Sequence, residues 1–377
     1  MRNLCVSIAC AIILLSSRAS GGSDLTPLLA RIKAVASEGK GNPAASAALK
    51  ELIKQGPEAL PEILGAINDA SPQAANWLRS AVDAVADRAL SGGKSLPVKK
   101  LEAFVRDTRH SGQARRLAYE WLVRIDDRTP DRFLPDMLDD PGAELRRDAV
   151  AVVIKEAQEY FDKEQKAAAS AAYRKALTHA RDRDQIQLIA ARLKKLGVEV
   201  DLTAHFGFIN RWQVVGSFDN KKGVGFHTVY PPEKGVDLAA VYKDKDGVAL
   251  RWQEHETKLP LGLVDFNKIY GNLHGTTAFA FAVVTSPSER PVELRASSNN
   301  AIQMFLNGKQ IFGREEYHHG TRMDQHVGKG ILRAGRNEIL VKVSQNEQTE
   351  AWAQTWTFQL RVCDHLGAAV PLVVEKK

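Results

Sequence analysis

The sequence predicts two architectures in succession, an α-solenoid of stacked helix pairs followed by an antiparallel β-sandwich. Three observations carry this. From Asp24 to about Gly197 apolar residues recur at helical spacing; from Phe206 they alternate at strand spacing; and glycine-rich turns, Asn307-Gly308 above all, punctuate the second half. The expected organisation is a signal segment over residues 1–19, a helical domain over 20–200 and a strand domain over 201–377. Roughly 175 residues on each side of the period change is ample for two independent cores.

The first residues read as an export signal. Arg2 supplies a positive start, Leu4 to Leu15 is almost wholly apolar, and Ser17-Arg18-Ala19 places small residues at the −3 and −1 positions of a cleavage site before Ser20. An apolar run of about a dozen residues is shorter than the roughly 20 that span a bilayer, so no transmembrane anchor is expected after cleavage. The expected location is the periplasm, the cell surface or the medium. The chain has 52 Lys and Arg against 45 Asp and Glu, for a net charge of +7. Both signs are mixed throughout, which argues against nucleic acid as a partner, because phosphate binding wants clustered cations. Two of the three cysteines, Cys5 and Cys10, fall in the signal segment. Cys363 then stands alone in a strand-like run, without an internal disulfide partner, and burial must hold each domain together.

In the helical half, Asp24 precedes Leu25-Thr26-Pro27, a cap followed by proline in the first turn, and Leu28, Ile32 and Val35 mark one apolar face. Further helices are expected over 45–56, 57–67, 73–90, 98–105, 113–125, 131–138, 143–160, 164–180 and 183–196, each closed by Gly, Asn, Asp or Pro. Three stretches look like copies of one unit. Leu60-Pro61-Glu62-Ile63-Leu64 leads past Asp69 to Leu78-Arg79-Ser80-Ala81-Val82. Leu101 to Val105 leads past Asp107 to Ala114-Arg115-Arg116-Leu117-Ala118. Phe133 to Leu138 leads past Asp140 to Leu145-Arg146-Arg147-Asp148-Ala149-Val150. Arg79, Arg116 and Arg147 lie 37 and 31 residues apart, a two-helix repeat length. Over about residues 43–160 this pattern resembles HEAT-type repeats, and the resemblance implies a rod of stacked helix pairs that scaffolds a protein partner. Of Arg115-Arg116 and Arg146-Arg147, one arginine of each pair is expected to bond a turn aspartate and the other to be solvated. Trp77 and Trp121 are expected in the core.

In the strand half, Trp212, Val214 and Phe218 open an extended run. Val248, Leu250 and Trp252 alternate; Phe279, Phe281 and Val283 share a face. Val292 and Leu294 follow Pro291, and Ile302, Met304 and Leu306 lead into Asn307-Gly308 and then Gln310-Ile311-Phe312, a strong hairpin signal. Ile339, Val341 and Val343 form the next strand. A last one is expected to carry Trp352, Trp356, Phe358, Leu360 and Val362 on one side. Some eight short strands between turns predict a two-sheet jelly roll. Trp212 to Asn220, Ser298-Asn299-Asn300 with Ile302 to Lys309, and Gly335 to Val343 each resemble a motif of the galactose-binding-like and PA14-like jelly rolls of secreted bacterial proteins. The resemblance covers about residues 206–368. It departs at Ser217, where proline is usual, and at Asn299-Asn300, which replace an acidic pair. Any metal or ligand role of that pair does not carry over.

No catalytic constellation stands out. Glu315-Glu316-Tyr317-His318-His319, with Asp324 and His326, is the one cluster resembling a metal site, but neighbouring residues of an extended strand point apart, and no zinc motif is present, so a solvated loop without metal or cofactor is expected. Glycoside hydrolysis needs two carboxylates about 5–10 Å apart. The pairs Glu254 with Glu256 and Glu315 with Glu316 lie in polar stretches that would not raise an acid's pKa. Cys363 in an apolar strand is no nucleophile. The expectation is a non-catalytic binding protein whose strand domain takes carbohydrate or a cell-surface ligand on its end loops, with Tyr270, Asn272, Asn299, Arg314, Tyr317 and His318 as candidate contacts. The alternatives are a purely structural surface protein and, third, a glycoside hydrolase or metal-dependent hydrolase. Trp212, Trp252, Trp352 and Trp356 are expected in the core rather than as stacking platforms.

Overall fold

The computed structural model describes residues 24–244 and 246–375, so the expected signal segment and its cleavage site lie outside the described residues. Helices come first and antiparallel sheets follow. By contacts the chain divides into two compact units, the first ending at Ala149 and the second running from Val150 to Lys377. This division falls inside a helix and well before the change of apolar period.

The helices are α1 (Thr26–Lys33), α2 (Asn42–Leu52), α3 (Leu60–Gly65), α4 (Pro72–Ser91), α5 (Val98–Arg106), α6 (Gly112–Ile125), α7 (Thr129–Phe133), α8 (Ala143–Asp162), α9 (Lys166–His179), α10 (Arg183–Lys195) and α11 (Leu202–Phe206). In the first unit α1 packs on α2, α3 on α4 and α5 on α6, and α3 also lies against α6. Their apolar faces form one core that includes Ile32, Leu52, Leu64, Leu78, Val105, Leu117, Phe133 and Leu145. Ser71 and Ser111 cap α4 and α6 by accepting from the backbone N–H of Ala74 and Ala114 at 3.2 and 3.3 Å. Asp24 accepts from Thr26 N–H at 3.0 Å, but Leu25 occupies the cap position of α1. The helix expected over 131–138 divides into α7 and a 3₁₀ turn, Leu134–Asp136, because Pro135 has no N–H to continue the ladder.

One turn aspartate, Asp140, meets one of the paired arginines, Arg115, as a buried pair. Arg115 donates to both carboxylate oxygens of Asp140 at 2.9 and 2.6 Å and to the Val105 carbonyl at 2.6 Å; Arg146 donates to the Asp140 carbonyl at 2.8 Å. Arg115 is 1 % exposed. The close approach of this turn to the start of α6 requires glycine on both sides, since a Cβ on Gly112 would lie 2.9 Å from the Gly142 Cα. The second arginine is not solvated as expected: Arg116 is half-buried between Asp148 and Glu120, and Glu120 also accepts from Arg79 at 2.8 Å. Trp121 is buried with its indole N–H on Asp83, whereas Trp77 is half-buried.

In the second unit the strands are β1 (Arg211–Asp219), β2 (Val241–Lys243), β3 (Ala249–Arg251), β4 (Gln253–Glu256), β5 (Val264–Asp265), β6 (Thr276–Ser286), β7 (Arg290–Ser298), β8 (Ala301–Leu306), β9 (Lys309–Arg314), β10 (His326–Leu332), β11 (Gly335–Gln345), β12 (Thr357–Cys363) and β13 (Val373–Val374). One antiparallel sheet runs β4-β1-β6-β11-β8-β9, with β13 also on β6, and a second runs β10-β7-β12-β5. Asn307 and Gly308 turn β8 into β9 with φ of 51° and 78°, the two positive values a type I′ turn needs.

The two sheets share one core. Trp212, Val214, Ala280, Met304, Val341 and Val343 of the larger sheet pack with Val292, Leu294, Phe358 and Leu360 of the smaller. The larger sheet's other face is covered as well. Val215, Phe279, Phe281, Val283 and Leu340 pack beneath Tyr230, Leu238, Tyr242, Leu250 and Trp252, all from the segment that follows β1. β6 is therefore buried on both faces, which is why its sequence is an almost unbroken apolar run. Lys342 fastens this cover. Its side chain is 1 % exposed, and its ammonium donates to the Thr228 carbonyl at 2.7 Å and to Glu233 at 2.8 Å. Trp212 and Trp356 are buried, but Trp352 is not in β12. It lies in a 3₁₀ turn, Ala351–Ala353, and is 63 % exposed.

Candidate ligand-binding site

Four segments of the second unit are tied together around Asn220, the buried residue that follows β1. Its amide NH₂ donates to the Gln345 carbonyl at 2.9 Å and to the Tyr317 hydroxyl at 3.3 Å, its amide oxygen accepts from Phe226 N–H at 2.9 Å, and its own N–H reaches the Gly275 carbonyl at 2.8 Å. The turn after it needs glycine, because a Cβ on Gly225 would lie 2.1 Å from the Asp219 carbonyl oxygen. Its side chain thus ties together the 220–227 turn, the end of β11 and the loop after β9, and its backbone N–H ties in the 271–275 loop.

The loop after β9 carries the ionisable groups. Glu315 takes His227 Nε2 at 2.9 Å on one oxygen and the Tyr317 hydroxyl at 3.2 Å on the other. Burial pushes the Tyr317 phenol up to about 12; the Asn220 contact opposes the shift and Glu315 adds to it. At His318 the backbone turns left-handed, φ 52°, which separates the two imidazoles. His318 Nε2 meets Asn346 Oδ1 at 2.5 Å and stands edge-on to the exposed Trp352, ring centres 5.7 Å apart. His319 turns instead to Gln325 at 2.8 Å. Asn346 in turn donates to Gln348 at 2.9 Å. The surface so formed presents an indole, an imidazole and two amides, with a carboxylate–imidazole pair at Glu315 and His227.

Of the expected contacts, the structure brings Tyr317, His318 and Asn299 into this frame. Asn299 serves it from below: its amide oxygen accepts from Thr357 Oγ1 at 2.6 Å and its NH₂ donates to the His319 carbonyl at 3.3 Å, while Asn300 holds the neighbouring turn through the Thr355 carbonyl at 2.7 Å. Asn272 is exposed on the 271–275 loop, whose Gly275 N–H bonds the Asn346 carbonyl at 2.8 Å. Arg314 is exposed and paired with Glu316 at 2.6 Å. Tyr270 is placed otherwise. It ends the short helix α14 (Phe266–Tyr270; the intervening α12 and α13 are Val224–His227 and Pro231–Lys234), its ring packs on Phe266 and Trp356 in the core, and its hydroxyl is buried. Trp352, His227 and Asn346 were not among the expected contacts. Trp352 shares spacing with the core residues of β12, but the strand begins only at Thr357 and Trp352 falls in the turn before it.

Among the described residues no three His, Cys, Asp or Glu side chains gather as a metal site. Glu254 and Glu256 lie on the edge strand β4, both paired with Arg211. Cys363 is buried, with its thiol pushed up to about 11 by burial. No described helix is long and apolar enough to cross a membrane.

No family model and no curated protein sequence matches the chain. It has slight structural similarity to a GH31 alpha-xylosidase from Xanthomonas citri, at 11% identity over 33% of this chain and 18% of that one, with a TM-score of 0.20. A beta-glucosidase from Kluyveromyces marxianus aligns at 10% identity over 79% of this chain and 37% of its own, with a TM-score of 0.26. The chain spans less than two-fifths of the length of either. These likenesses are too slight to bear on fold or function.

Proposed function

We propose that this chain is an exported, non-catalytic binding protein, in which HEAT-like stacked helix pairs form a solenoid for protein contacts and a galactose-binding-like jelly roll takes a carbohydrate or another cell-surface ligand on its end loops. The observation that carries the reading is the exposed Trp352 beside His318 and Asn346, on loops locked by Asn220. An exposed indole fixed next to planar amides suits a sugar ring: the apolar face stacks, and the amides both donate to and accept from hydroxyls. Preorganisation by Asn220, Asn299 and Asn300 lowers the ordering cost of binding. The carboxylates nearby are paired with Arg314, His227 and Tyr317, which suits holding a ligand better than protonating one.

The test is a glycan array probed with the purified chain, followed by calorimetry on Trp352→Ala and Tyr317→Phe. At least one polysaccharide should bind, and Trp352→Ala should weaken it by about 1–3 kcal/mol without lowering Tm. An array without a hit would favour a structural surface role, and turnover of model glycosides would favour a hydrolase.

A further inference from the structure

We propose that the first unit carries a separate small-ligand site, for a neutral saccharide, in the pocket between the turn after α1 and the first half of α4. The pocket has a volume of about 540 Å³, within the range of roughly 300–1,000 Å³ typical of small-molecule sites. Its apolar wall is made by Val35, Leu49 and the half-buried Trp77. The rim is polar and without cations: Asn42, Gln73 and Asn76 are exposed there, and their amides make no side-chain hydrogen bond among the described residues. Glu38 completes the rim. It sits at φ 58° in the 3₁₀ turn Ser37–Gly39, with Gly39 at 75° and Gly41 at 88° after it, and a Cβ on Gly41 would press to 3.0 Å from the Ala34 carbonyl.

Three amides offer donors and acceptors together, a carboxylate accepts from neighbouring hydroxyls, and an indole takes the apolar face of a sugar ring. Glu38 disfavours acidic saccharides, and the absence of Lys and Arg from the lining leaves nothing to neutralise them. The pocket's size fits one or two rings rather than the length of an extended peptide. The inference is independent of the loop site on the second unit, since the residues of the two belong to different units.

The experiment titrates the whole chain carrying Trp352→Ala, which weakens the loop site, with cellotriose, maltotriose, chitotriose, trigalacturonate and a leucine- and proline-rich pentapeptide, read by calorimetry and indole fluorescence. A neutral trisaccharide should bind, and adding Trp77→Ala or Asn76→Leu should weaken it about tenfold or more. Asn76 and Gln73 are exposed, so Asn76→Leu and Gln73→Leu decide the matter should Trp77→Ala disturb the fold. The proposal is overturned if no neutral trisaccharide binds this background, if binding survives these substitutions, or if trigalacturonate or the pentapeptide binds there in place of a neutral sugar.

Discussion

His326 is buried at 3 % exposure on β10, with its Nε2 unpartnered and Phe312 against its ring. Burial, reinforced by His319 and Arg314, pushes its pKa down to about 4 from the ordinary 6.5. A histidine with a depressed folded-state pKa is neutral in both states above 6.5. Between 6.5 and 4 the unfolded chain binds the proton first, so stability is lost as pH falls through that window. The loss from this group is on the order of 2–3 kcal/mol, and urea midpoints measured at pH 7 and pH 4.5 should converge in His326→Gln relative to the unsubstituted chain. Asn220 makes a second residue-scale case. Asn220→Leu leaves the Gln345 carbonyl and Phe226 N–H without partners and should lower stability by about 2–4 kcal/mol, visible as a lower thermal midpoint together with weaker glycan binding. Asn220 closes a motif in the sequence, yet its reach to Tyr317 and Gln345 spans 97 and 125 residues and follows from no local pattern.

At the scale of elements, buried charges fasten pieces that apolar contact alone would leave sliding. Arg115 links α6 to the turn before α8. Arg115→Met strands Asp140 in the core and should cost about 3–5 kcal/mol in chemical denaturation. Lys342 fastens the cover over the larger sheet. Burial lowers its pKa against the opposing pull of Glu233, so its charge survives by that pair and by two backbone carbonyls. Lys342→Met leaves Glu233 unpaired, and limited proteolysis should then cut near residues 226–234 before any site in β6 or β11. The alternation of apolar residues located β8, β11 and the Asn-Gly hairpin, because one face of each period is core. It could not separate the two buried faces of β6, nor show that Trp352 falls outside β12, since spacing is blind to where a strand begins.

Across the whole molecule, the first and second units bury different cores, so substitutions confined to one should leave the other's readout unchanged. Arg115→Met combined with Trp352→Ala should show additive effects, the first on the denaturation midpoint and the second on glycan affinity; a non-additive stability loss above about 0.5 kcal/mol in urea titration would contradict this. By itself the sequence determined the order of architectures, helices and then antiparallel strands, along with most element positions and the burial of Trp121, Trp212, Trp356 and Cys363. These follow from apolar period and turn chemistry, which act over a few residues. The tertiary structure decided which side chains converge: Glu315 with His227, His318 with Asn346 and Trp352, Arg115 with Asp140, and Tyr270 with the core. Those contacts depend on chain pairing across tens to more than a hundred residues, a distance over which local periodicity carries no information.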